Sequence, residues 1–182
     1  EQTGRIRLEE MHAEIPADRA AQAKMTADVL VDFVGTHFPF VGDAKPMASD
    51  NTECILNRTW RPTLSVTGAD HLPLIASAGN VLRPKTSLKL SFRLPPTRKC
   101  SDIIPLIERT LTENPPYGAQ VRFLDAEGGD VWNAPALANW LKEATERASM
   151  EFFGKSVMCM GEGGSIPFMG MLGEKFPEAQ FL

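Results

Sequence analysis

Gly161-Glu162-Gly163-Gly164-Ser165 is a turn suited to holding an anion. Gly163 and Gly164 let the backbone present its N–H groups, and Ser165 can cap the helix that follows, whose positive end attracts negative charge. A substrate carboxylate fits that description; plain turn chemistry is the competing reading. Arg93 is the second candidate, an arginine on the polar face of a strand otherwise made of serine and lysine. Its planar fork can meet a carboxylate or a tetrahedral intermediate with two hydrogen bonds, where a surface ion pair would add little. The histidines make a weaker case. His37 and His71 have Asp43, Asp50 and Asp70 nearby in sequence, yet no His pair shows the i, i+4 spacing of a helical metal site, and His12 stands alone. We therefore assign no catalytic residue and no metal ligand from these residue types.

The elements that must position Arg93 and the glycine turn read as five strands and four helices. From Thr86 to Leu94, Leu88, Leu90, Phe92 and Leu94 alternate with Ser87, Lys89, Ser91 and Arg93, the pattern of a half-buried antiparallel strand. Thr63 to Thr67 repeats it, with Leu64 and Val66 against Ser65 and Thr67, and Gly68 is expected to break it. Ala78-Gly79-Asn80 and Pro84 keep the connector out of regular pairing. Before these strands, Glu1 to Pro16 reads as a loop with a short turn. Pro16 opens a helix whose apolar face is Met25, Val29, Leu30 and Phe33, running to Val34 and ended by Gly35. His37 to Asn57 reads as a long excursion. After them, Ser101 caps a helix to about Glu113 with Ile103, Leu106, Ile107 and Leu111 buried. Gln120 to Leu124 reads as a third strand and Glu127 to Asp130 as a linker. A helix then runs from Pro135 to Gly154 on Leu137, Trp140, Leu141, Ala144, Ala148 and Phe152. Ser156 to Met160 reads as a short strand, Ile166 to Leu172 as a helix, and Ala179 to Leu182 as an apolar strand. This order is α/β: a two-layer antiparallel sheet with helices on one face, then strand, glycine turn and helix as in an α/β catalytic domain.

Composition narrows the function classes. With 43% hydrophobic and 23% charged residues the chain is an ordinary globular one. Its net charge of −4 is scattered, leaving no basic stripe for nucleic acid, and no apolar run is long enough to span a bilayer. Cys54, Cys100 and Cys159 are an odd number at wide spacing, which suits reduced thiols in a cytoplasmic protein.

Ala78 to Pro96 (AGNVLRPKTSLKLSFRLPP) and Gly161 to Phe168 (GEGGSIPF) together resemble the dizinc metallopeptidases of the carnosinase, cytosolic dipeptidase and aminoacylase type. The resemblance implies a division into residues 1–127, a lid or dimerisation domain lacking its N-terminal part, and 128–182, a partial return into the catalytic domain. It implies that Asn80, Arg93, Gly163, Gly164 and Ser165 bind substrate, that the enzyme uses two zinc ions, and that it forms a homodimer through the lid. Asn80 stands where some relatives have threonine. The metal-binding HxD and paired glutamates are not found here; the family's ligands fall mostly before the point matching Glu1, with a last histidine after the point matching Leu182. The chain is thus expected to be a piece of a longer enzyme, binding no zinc and hydrolysing nothing by itself. A dipeptidase is the leading reading. An aminoacylase or deacetylase acting on N-acyl amino acids, or a non-catalytic dimerisation module, are the alternatives.

Overall fold

The computed structural model describes residues 4–32, 37–163 and 167–182. In chain order its helices are α1 (Ala17–Val29), α2 (Asn51–Thr59), α3 (Cys100–Thr112), α4 (Asn139–Phe153) and α5 (Pro167–Lys175), and its strands are β1 (Thr63–Asp70) and β2 (Ser87–Arg93). The α/β class expected from the sequence is observed.

The hairpin is antiparallel, with Thr63 opposite Arg93, Leu64 opposite Phe92 and Val66 opposite Leu90. β1 does not stop at Gly68. Thr67 is left unpaired as a bulge, and Gly68 resumes the ladder opposite Lys89, so the glycine marks an irregularity inside the strand and not its end. The alternation of β2 holds in direction, but its apolar side is only partly covered: Phe92 and Leu94 pack on a core of Met11, Ile103 and Ile107, while Leu88 stays exposed. Met11 comes from a turn of 3-10 helix at Glu9–Met11 and is fully buried.

A second core joins α1 to α2 through Ala23, Ala27, Ile55, Leu56 and Trp60. Here the expected face of α1 was misplaced. Met25 and Val29 are 53% and 55% exposed, and the helix turns its small residues inward instead, which brings the α2 backbone close. Phe33 to Gly35 lie outside the described residues. Thr26, buried with the alanines, donates its hydroxyl to the Cys159 carbonyl at 2.9 Å.

α2 lies in what the sequence suggested was an excursion. Asp50 caps it by accepting the Thr52 N–H, and Arg61 closes its outer side by bonding Glu53 and Asn57. α3 starts at Cys100 with Lys99 in the cap position, so Ser101 is not its cap. Asp130 does that work from the far side of the chain, accepting the Cys100 N–H at 2.9 Å. The expected linker is therefore packed on α3, where a methyl on Gly128 would stand 2.8 Å from the Cys100 sulfur. Gln120–Leu124 and Ser156–Met160 run without ladder partners among the described residues, although Phe123 joins the Met11 core. Period-two spacing places side chains on a face; only a neighbouring backbone makes a strand of them. Ala179–Leu182 is likewise irregular, with Phe181 edge-on to Trp132 at 5.0 Å between ring centres. α4 begins at Asn139, later than Pro135, and ends at Gly154 in the left-handed conformation (φ 65°) that glycine accepts readily. Of its apolar stripe Leu141 is buried, whereas Trp140 and Phe152 are exposed.

Candidate functional site

α2 runs almost directly into β1, with only Trp60, Arg61 and Pro62 between them, and the first residue of β1 pairs with Arg93. This connection brings the end of α2 beside the end of β2. The glycine turn lies over both. A methyl on Gly161 would stand 3.1 Å from the Thr59 side chain, and Gly163 sits so close to the Arg58 carbonyl that any side chain at 163 would collide with it. Glycine is required there by space.

Two arginines meet the turn. Arg93 donates from Nη1 to the Gly163 carbonyl at 2.8 Å, joining two candidates 70 residues apart in sequence. Arg58 donates from Nη2 to Glu162 Oε2 at 2.6 Å. Glu162 offsets the charge of Arg58, whereas Arg93 contacts a neutral carbonyl and has no acidic partner among the described residues. The cluster therefore presents a net positive charge, with part of the Arg93 fork free of protein partners among the described residues. Such a group can take a carboxylate. Sequence reasoning missed Arg58 and Glu162. No motif marks Arg58, although the Asp50 cap and Glu53 three residues later could have revealed the helix that carries it.

Other expected residues fare differently. Gly164 and Ser165 lie outside the described residues. Asn80 is exposed in the connector, which leaves the hairpin at the Asp70–Ser87 end, opposite Arg93. His12 has its Nε2 2.7 Å from the Ile6 carbonyl, a structural tie. A separate cleft of about 410 Å³ between Trp132, Phe181 and α5 includes none of the candidate residues in its lining. Among the described residues no group of three or more His, Cys, Asp or Glu gathers to hold a metal. No described helix is long and apolar enough to cross a membrane.

The cysteines are free thiols. Burial, followed by the charges of Asp50 and Glu53, raises the Cys54 thiol pKa; burial and Asp130 raise that of Cys100. Since the thiolate is the nucleophile, both should react slowly with a disulfide reagent at neutral pH, while exposed Cys159 reacts first. Cys159→Ser should remove the fast phase of a labelling time course. Persistence of that phase would show that one of the two shielded thiols opens readily to solvent.

No family model matches the chain. A cysteinylglycine-S-conjugate dipeptidase of Corynebacterium striatum is 25% identical over 125 residues, 66% of this chain and 26% of that protein. Human carnosine dipeptidase 1 superposes with a TM-score of 0.69 at 18% identity, covering 99% of this chain and 38% of its own. An M20 family metallo-carboxypeptidase from Sulfolobus solfataricus, Sso-CP2, gives 0.65 at 15% identity over 96% of this chain and 38% of its own. The di-peptidase Dug1p from Saccharomyces cerevisiae gives 0.61 at 18% identity over 98% and 36%. The chain thus spans about a quarter of the curated relative and less than two fifths of each of these structures. The resemblance read from Ala78–Pro96 and Gly161–Phe168 is borne out in both comparisons.

Proposed function

We propose that this chain, whose fold is that of the M20 metallopeptidases, supplies the substrate-binding and dimerisation part of a metal-dependent hydrolase acting on dipeptides or short peptides. The observation that carries this reading is the 2.8 Å bond from Arg93 to the Gly163 carbonyl, because it assembles a cationic fork and a glycine turn at one point. Arg93 holds the substrate carboxylate, or the oxyanion of the tetrahedral intermediate, through the donors that Gly163 leaves free. Gly163, Gly164 and Ser165 complete the grip from the turn. Residues 1–127 form the lid and 128–182 return to the catalytic domain.

The resemblance implies two zinc ions. The described residues offer no ligand set that fits them, so we derive no step through metal from this chain, and its own role is binding and orientation. A homodimer is supported by the hairpin, whose strands pair only with each other among the described residues, and by the apolar connector beyond it, where Leu74, Ile75 and Leu82 are exposed. Because Asn80 leaves the hairpin at the end opposite Arg93, we assign it to the site of the second copy. The longer protein that contains this chain should hydrolyse dipeptides, lose that activity on chelation and regain it with zinc, and prefer dipeptides to N-acyl amino acids. Preference for N-acyl amino acids would make it an aminoacylase, and turnover of neither would leave a dimerisation module.

A further inference from the structure

We propose that Arg58 is a positioning residue for the carboxylate grip, acting through Glu162 and Gly163 on Arg93; the inference rests on the peptidase reading above. Arg58 occupies the last turn of α2 and attaches to the glycine turn twice. Its guanidinium bonds Glu162 at 2.6 Å, and its main-chain carbonyl lies against Gly163, where only hydrogen fits. Consecutive residues of the turn are thereby clamped to one helix end. The Gly163 carbonyl then accepts the Arg93 Nη1–H, so the turn sets the direction of the Arg93 fork and Arg58 sets the turn. The bracket has a firm base, since Ile55, Leu56 and Trp60 hold the same stretch of chain in the core.

Charge gives Arg58 a second task. Glu162 is the residue next to Gly163, and unpaired it would set a carboxylate beside the place where the substrate carboxylate must bind. Paired to Arg58, it is neutralised, and the positive charge left over is that of Arg93. Removing Arg58 therefore does two things: it loosens the turn and it releases a repelling charge. Removing the Glu162 charge also loosens the turn, but it leaves the Arg58 charge unoffset, and that charge attracts the substrate carboxylate.

The test uses the longer protein and the ratio of kcat/KM for a dipeptide to that for the same dipeptide amidated at its C-terminus. Glu162→Gln, on a side chain that is 69% exposed and so harmless to folding, sets a looser turn against the unoffset Arg58 charge and should change the ratio by less than about threefold. Arg58→Ala should lower it about tenfold, and adding Glu162→Gln to that variant should recover about threefold of the loss because no carboxylate is left to repel. A merely structural arginine would not be rescued by a second substitution. A wild-type ratio in Arg58→Ala, or a double variant no better than Arg58→Ala, would overturn the inference while leaving the peptidase reading in place. A wild-type ratio near one would remove the carboxylate grip itself, and the role of Arg58 with it.

Discussion

Trp60→Ala should cost about 3–5 kcal/mol of stability, the range for deleting a buried aromatic ring. Trp60 is 7% exposed and belongs to a cluster whose other buried members are Ala23, Ala27, Ile55 and Leu56. It is by far the largest of them, so the alanines of α1 would face a void that no neighbour is large enough to fill. The packing of α1 on α2 depends on that ring, and the Thr26 bond to the Cys159 carbonyl depends on α1. Urea unfolding followed by circular dichroism measures the effect as a lowered midpoint at an unchanged slope. A loss below about 1 kcal/mol would mean that the cluster repacks around the gap and that the α1–α2 contact is held by something else. Ile55→Val, which removes a single methylene from the same cluster, should cost only about 0.5–1.5 kcal/mol and provides the scale for comparison.

How much of this was legible in the sequence depends on what kind of interaction fixes each part. The direction of the β2 faces was legible, because side-chain alternation is a property of one strand and needs no partner. Whether Gln120–Leu124 becomes a strand was not, since a ladder depends on a second backbone that no local pattern reports. Gly68 shows the same limit: glycine weakens a strand, and only the partner decides between a bulge and an end. The start of α1 was legible, but the helix ends at Val29, short of the expected Val34, and its inward face was misplaced. The pattern points to Met25 and Val29, yet close approach of α2 favours Ala23 and Ala27. α2 could have been found from Asp50 and Glu53 if capping had been weighed above the scarcity of apolar positions. The cap of α3 could not, because Asp130 arrives from 30 residues away. At the site, residue type alone singled out Arg93 and the glycine turn. Their contact, and the presence of Arg58 and Glu162, follow from the short path between α2 and β1.

Arg93→Ala should lower kcat/KM of the longer protein for dipeptides by about ten- to a hundredfold, since a charge-assisted hydrogen bond is worth about 1.5–3 kcal/mol and each 1.4 kcal/mol is a factor of ten. Folding should change little. Arg93 is exposed on the polar face of β2, and its one bond to protein among the described residues ends on a carbonyl that faces it across the site. Arg93→Lys tells charge from shape. Lysine keeps the positive charge but loses the planar fork, so it should recover only part of the loss, and a full recovery would mean that Arg93 acts as a point charge. Thermal unfolding of the same variants guards against a structural cause, because a drop in midpoint that tracks the drop in activity would make the Gly163 bond a strut and not a guide for substrate. Unchanged kcat and KM across several dipeptides would remove Arg93 from the site. The substrate contact would then have to come from the turn alone, and the net positive charge that the two arginines and Glu162 leave at Gly163 would have no carboxylate to meet.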